Sequence, residues 1–126
     1  MNTYSELSDL QTYIKKNVGL DVKIGQVDKS IQAYPIIFII PDENGNFTEI
    51  QGKTLNSFDF NLKIKLIDVK DRLIKTFQYM DKLINKMNSF AEGKGHKFET
   101  DIITEFVNDN YEVTFKYKLK IRLQNI

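Results

Sequence analysis

The feature that most constrains this fold is a strict alternation of apolar and polar residues from Tyr111 to Leu123. Successive side chains of a β-strand leave opposite sides of the backbone, so this period predicts a long strand with one buried and one solvated face. The apolar set is Tyr111, Val113, Phe115, Tyr117, Leu119, Ile121 and Leu123. The buried face of such a strand needs a helix to cover it.

The segment from Asp68 to Ser89 is long and periodic enough to provide that cover. Its apolar residues recur at spacings of three and four, which predicts a helix about 30 Å long with one apolar side. Asp68 is expected to end a strand and cap this helix, with Asp71 at the capping-box position. Glycines 93 and 95 are expected to end the helix. The apolar stripe is Leu73, Phe77, Met80, Ile84 and Met87, widened by Ile74 and Leu83.

The N-terminal part predicts a helix followed by short strands. Apolar residues on one face indicate a helix from Thr3 to Val18, which Gly19 ends. A short strand is expected over residues 20–24. The five apolar residues of Ile36–Ile40 predict a strand covered on both sides.

The remaining strands follow from turn signals and alternation. Asn44-Gly45 favours a tight turn, after which residues 47–51 are expected to return as a hairpin strand. Residues 58–66 repeat the alternation of the last strand, and residues 98–107 predict another strand before a turn at 108–110. Helices on one face of a mostly antiparallel sheet predict an α+β fold, formed by residues 1–126 as a single domain.

Composition limits the classes of function. The net charge is only +1, so any affinity for nucleic acid must come from local charge. There is no cysteine and only one histidine, which excludes thiolate chemistry and histidine clusters. No segment resembles a signal peptide or approaches the ~20 apolar residues of a membrane span. The expectation is a soluble cytoplasmic protein.

The solvated faces of two predicted strands are rich in basic residues. These residues are Lys63, Lys65, Lys116, Lys118, Lys120 and Arg122. If the two strands pair antiparallel, lysines face lysines at a cost of a few tenths to ~1 kcal/mol per pair. Three interpretations remain open: solvated lysines that keep a sheet soluble, a subunit interface or channel lining, and direct binding of nucleic acid.

No arrangement in the sequence predicts catalysis, a cofactor or a metal site. The segment Gly93-Lys94-Gly95 follows a helix, whereas a phosphate-binding loop precedes one. His96 in the same loop is expected to be solvated. The acidic residues near the turns lack the spacing of a calcium loop, and no serine lies in a nucleophile elbow.

Several segments, taken in their order, resemble a known family. They are Tyr34-Pro35-Ile36-Ile37-Phe38-Ile39, the Phe58–Ile64 strand that runs into the Asp71–Met87 helix, the closing Tyr111–Phe115 strand and the N-terminal helix. This pattern resembles the tail terminator or tail-completion proteins of long-tailed bacteriophages.

The resemblance implies an α/β subunit of the virion tail, assembled in the host cytoplasm as a ring that is commonly a hexamer. Such a ring caps the tail tube, ends its polymerisation and provides the surface on which the head docks. The implied partners are other copies of the chain, the tail tube protein, a head-completion or connector protein and, transiently, passing DNA. Loops 26–33 and 42–57 would contact tube, head or neighbour, and the basic face would line the channel or a seam. The alternatives are a connector or adaptor between portal and tail, and a small nucleic-acid-binding domain.

Overall fold

A computed structural model describes residues 3–25, 33–42 and 57–122. Helix α1 spans Thr3–Val18, which confirms the predicted bounds. Leu10, Ile14 and Val18 are buried along one side of it, as their spacing requires. Gly19 follows with a positive φ of 82°, a conformation that glycine adopts without a steric penalty.

The described strands form one five-stranded sheet in the order β1-β2-β3-β5-β4. Their bounds are β1 Asp21–Ile24, β2 Ile36–Pro41, β3 Ser57–Val69, β4 Lys97–Val107 and β5 Asn110–Arg122. Strands β1 and β2 are parallel, and the other neighbours are antiparallel. The fold is therefore α+β with a mostly antiparallel sheet, as predicted.

Helix α2 spans Leu73–Lys94 and follows a single 3₁₀ turn, Lys70–Arg72. It begins about five residues later than the sequence predicts and ends at the predicted glycine segment. Gly95 ends it in the left-handed conformation, with φ 71°. The predicted cap at Asp68 is wrong, because Asp68 lies within β3 and no side chain caps the 3₁₀ turn or α2. The strand continues past the expected end because Val69 still pairs with Asn110.

The main core lies between the two helices and one face of the sheet, here called the helix face. The alternating apolar residues of β3 and β5 fill it, with Phe115 and Leu119 fully buried. From α2 it receives Leu83, Met87 and Ala91. The predicted α2 stripe is wrong at its N-terminal end, where Ile74 is 77% exposed and Phe77 is 41% exposed. At that end Phe77 still contacts Tyr111 of β5, whereas Ile74 is mostly in solvent.

The opposite side of the sheet, here called the open face, carries a second, smaller apolar cluster. Ile36 and Phe38 of β2 and Ile67 of β3 are buried there, with Tyr34 and Ile40 packed against them. Ile37 and Ile39 of the same strand belong to the main core. Strand β2 is thus covered on both faces, as its unbroken apolar run predicts.

Strands β4 and β5 form the predicted hairpin, joined by Asn108 and Asp109. Asn108 has φ 56°, which asparagine tolerates better than most residues. The predicted hairpin strand at 47–51 lies outside the described residues. Apart from their end residues Ala33, Asp42 and Ser57, the two loops proposed as contact regions also lie outside them.

Candidate functional site

The open face carries the lysines singled out by sequence. Lys63 and Lys65 lie on β3, and Lys116, Lys118 and Lys120 lie on β5 beside them. Arg122 falls at the end of β5, and its side chain is outside the described structure. The antiparallel register brings these residues onto one surface, as the alternation of each strand predicts.

Acidic neighbours offset much of this charge. Lys65 Nζ lies 3.0 Å from Glu112 Oε1, and both side chains are mostly buried. Lys118 lies 3.8 Å from Glu99, and Lys120 lies 3.8 Å from Asp59. The open face therefore has mixed charge and is less basic than the lysine pattern predicts.

Lysine does face lysine at two places in the register. Lys63 lies opposite Lys116 in the β3–β5 pair, and Lys97 lies opposite Lys118 in the β4–β5 pair. Lys118 has Glu99 as a partner, whereas no ion pair of Lys63 or Lys116 is found among the described residues. The unfavourable contact predicted from sequence is thus concentrated at Lys63 and Lys116.

A polar hollow of about 190 Å³ lies on this side of the sheet. Its lining combines both signs of charge: Asp42, Asn61, Leu62, Glu99, Lys116, Tyr117 and Lys118. Across the described ranges, no three histidine, cysteine or acidic residues come close enough to hold a metal ion. The hollow offers polar contacts without the geometry of a metal centre.

Strand β4 is an edge of the described sheet, and every described side chain from Asp101 to Phe106 is exposed. A register shift between Glu99 and Ile102 interrupts its pairing with β5, so the part beyond the bulge is Ile102–Val107. The result is an edge with large apolar side chains in solvent.

An aromatic chain connects this edge to the start of α2, and Ile102 and Ile74 are exposed on the same two elements. Phe106 contacts Tyr111 with ring centroids 4.9 Å apart, and Tyr111 contacts Phe77 at 5.8 Å. Phe106 is 60% exposed. We call Ile74, Phe77, Ile102, Phe106 and Tyr111 the apolar margin. The alternation signal of β4 is weak, and sequence reasoning did not identify this surface.

A buried polar cluster joins α1, β5 and the α2–β4 connection. His96 Nδ1 lies 2.7 Å from the Tyr117 hydroxyl oxygen, and His96 Nε2 lies 3.5 Å from Glu6 Oε2. The side chains of His96 and Glu6 are only 1% and 8% exposed. The expectation of a solvated His96 is therefore wrong, because α1 and β5 enclose the loop that carries it.

The surroundings of this cluster favour a neutral phenol. Burial raises the pKa of Tyr117 above its usual range, and the nearby Glu6 carboxylate and Tyr13 phenol act in the same direction. Phe90 contacts the His96 ring from α2, with centroids 5.7 Å apart. The cluster links three elements through polar contacts in an enclosed place, which suits a structural role.

No protein-family model matches this chain, and no curated protein is similar enough in sequence to count as a relative. No helix within the described ranges is both long and apolar enough to cross a bilayer.

Proposed function

We propose that this chain is a structural subunit of a long-tailed bacteriophage that assembles as a ring on the end of the tail tube. The ring ends tube polymerisation and presents the surface on which the head docks. The observation that carries this proposal is the exposed β4 edge with its apolar margin. The described helices and strands also follow the element order on which the family resemblance is based.

An exposed edge strand is a site where other chains attach. Soluble monomers usually keep such edges short, charged or covered, because unpaired backbone groups favour pairing with another strand. Here the edge continues into exposed aromatic and aliphatic side chains on α2, and contiguous patches of this kind mark interaction surfaces. A surface that binds a different surface of the next copy produces a ring when the rotation closes.

The charge on the open face supports assembly more than DNA binding. Lys65, Lys118 and Lys120 each have a carboxylate partner within the same subunit, which leaves fewer cations for phosphates. A connector or adaptor between portal and tail would use the same kind of ring, and the partner that the ring binds separates these two roles. Nucleic-acid binding by the isolated domain has no specific support among the described contacts.

The proposal is tested first by light scattering and electron microscopy of the purified protein over a range of concentrations. We expect a closed annulus, or a monomer that forms one as the concentration rises. The second step mixes the protein with tail tubes reassembled from the tube protein of the same phage. Density on the tube ends and arrested elongation are the expected results.

Three outcomes contradict the proposal. A monomer at every concentration, with or without tubes, removes the assembly role. A monomer that binds duplex DNA with an affinity falling steeply with salt supports the nucleic-acid alternative instead. A ring that binds a portal or connector and leaves tube growth unchanged supports the adaptor role.

A further inference from the structure

We infer that the β4 edge and apolar margin bind the opposite edge of the sheet in a second copy of this chain, at a basic surface formed by α1 and β1. This inference rests on the proposed ring assembly, and it assigns the two subunit surfaces that meet. The charges at the two edges of the sheet, and the different accessibility of their backbones, support it.

The β4 edge is acidic where it is most exposed. Asp101 lies at the bulge and Glu105 lies beyond it, and both side chains are exposed. Glu105 is opposite Glu112 on the open face, whereas Ile102 and Phe106 of the apolar margin are on the helix face, so the acidic and apolar side chains flank the same strand on its two sides. No described ion pair involves either of them. Lys97 is at the start of the strand, beyond the bulge from Glu105. The exposed residues 101–106 of β4 therefore combine apolar side chains with two acidic side chains, Asp101 and Glu105, that have no described ion pair.

The opposite edge is basic. Lys15 and Lys16 are exposed in the last turn of α1, and Lys23 is exposed on β1. The only acidic residue on β1 is Asp21, whose 4.0 Å contact with Lys23 is exposed and weak. Ile24 is 39% exposed on the same strand and provides an apolar contact. We call Lys15, Lys16, Lys23 and Ile24 the basic margin.

A side chain of α1 forms a hydrogen bond with the backbone of β1. The Gln11 amide donates to the carbonyl oxygen of Val22, at 2.8 Å, and so occupies an acceptor of this edge strand. Lys15 lies four residues after Gln11, on the same side of the helix. A neighbour therefore meets helix side chains at this edge and does not simply add a strand to β1.

Charge also decides which pair of surfaces meets. Two β4 edges related by a twofold axis would bring Asp101 and Glu105 of one copy towards the same acidic segment of the other. Like charges placed together oppose binding, whereas opposite charges favour it and select the partner. The β4 edge and the basic margin lie at opposite ends of the described strand order, so their contact is heterologous and forms a ring when the rotation closes.

Paired charge reversals test this assignment. The first variant combines Asp101→Lys with Glu105→Lys, and the second combines Lys15→Glu, Lys16→Glu and Lys23→Glu. All five side chains are exposed, so both variants should keep the thermal unfolding of the unaltered protein. Asp81→Lys with Glu92→Lys is the control for the first variant, and Lys75→Glu with Lys82→Glu is the control for the second, because these residues are exposed on α2.

We expect each variant alone to need at least about tenfold more protein for half-assembly than the controls, as measured by light scattering. An equimolar mixture of the two variants should assemble again, because each acidic surface then meets a basic one. A damaged fold cannot produce this recovery. Because the two variants must alternate around the ring, such a mixture forms only rings with an even number of subunits.

Three results overturn the inference. If the protein forms rings and neither variant alters them, the assignment of the contact to these two surfaces is wrong and the ring proposal stands. If the second variant assembles normally while the first does not, β4 contacts another surface, such as a second β4 edge. If the unaltered protein never associates, both the margins and the ring proposal fail.

Discussion

At the scale of single residues, the contact between His96 and Tyr117 shows how enclosure changes the role of a titratable group. The loop after α2 would leave His96 in solvent if it stood alone. Instead, the Tyr117 hydroxyl lies 2.7 Å from one ring nitrogen and Glu6 lies 3.5 Å from the other. The three groups form a polar link within a mostly apolar core.

The raised pKa of Tyr117 predicts a loss of stability at high pH. An unfolded tyrosine ionises near its usual pKa of about 10, while the folded protein keeps the buried phenol neutral. The stabilisation that the neutral, buried Tyr117 gives to the folded state is therefore complete below about pH 10. It is lost as the pH rises above that value. Urea unfolding between about pH 9 and pH 11 should show the stability advantage of the unaltered protein over Tyr117→Phe shrinking.

Tyr4→Phe is the matched control, because Tyr4 is 77% exposed on α1. Its stability difference from the unaltered protein should not change over the same pH range. A Tyr117→Phe difference that is equally flat would contradict a neutral, enclosed phenol.

Asp68 and Thr76 form a second buried polar contact, between β3 and α2. The Thr76 hydroxyl lies 2.9 Å from Asp68 Oδ2 and 2.9 Å from the Arg72 carbonyl oxygen. Both oxygens are within hydrogen-bonding distance of the hydroxyl, and a carboxylate is a stronger acceptor than a carbonyl. The other carboxylate oxygen accepts from the Val69 amide at 2.8 Å. This contact holds the start of α2 against the end of β3.

Thr76→Val should lower the free energy of unfolding by about 1–3 kcal/mol, because it leaves a buried carboxylate oxygen without its donor. Chemical denaturation of Thr76→Val, Asp68→Asn and the double variant separates this contact from other effects. We expect a coupling energy of about 1 kcal/mol between the two positions. Additive losses would show that the hydroxyl does not serve Asp68.

At the scale of secondary-structure elements, α2 covers the sheet unevenly. Leu83, Met87 and Ala91 in its C-terminal half are buried in the main core. Ile74 and Phe77 in its N-terminal half remain exposed, and Phe77 contacts Tyr111 of β5. The helix has one apolar stripe with two uses: one half packs within the subunit, and the other half belongs to the apolar margin.

The pairing of β3 with β5 predicts opposite effects for two neighbouring lysines. Lys63 faces Lys116 across the register, so Lys63→Glu should stabilise the subunit by a few tenths to about 1 kcal/mol. Lys65 contacts the largely buried Glu112, so Lys65→Glu should destabilise it by about 1–3 kcal/mol. Equilibrium unfolding in denaturant measures both changes, and effects of the same sign would contradict the register.

At the scale of the whole molecule, its surface has two unlike edges and one partly neutralised open face. Among the five described strands, β1 and β4 lie at the ends of the strand order. A basic surface lies beside β1, and an acidic and apolar surface lies along β4. This difference in charge between the two edges favours head-to-tail contact between copies.

Phe106→Ser should weaken assembly without greatly weakening the fold. Phe106 is 60% exposed and its main aromatic contact is Tyr111, so the loss in unfolding free energy should stay below about 1 kcal/mol. The concentration for half-assembly should rise at least about tenfold, since aromatic side chains often dominate an interface. Tyr4→Ser, on α1, is the exposed aromatic control, and sedimentation velocity measures both. An unchanged assembly would remove Phe106 from the contact.

Much of the fold could be predicted from the sequence because it depends on local periodicity. The period of two from Tyr111 onwards predicted β5, and the apolar spacing of residues 3–18 predicted α1 with its observed bounds. The apolar run of β2 predicted a strand covered on both faces. Each of these patterns reflects backbone geometry that neighbouring residues share.

Other features were decided only by the tertiary structure. The register of β3, β5 and β4 placed Glu112, Glu99 and Asp59 beside lysines that the strand patterns alone left unpaired. The packing of α1 on the sheet enclosed His96, and the crossing of α2 left Phe77 and Phe106 in solvent. Alternation shows which side of a strand a residue faces. Which residue of the neighbouring strand lies beside it depends on the register between segments that are distant in sequence.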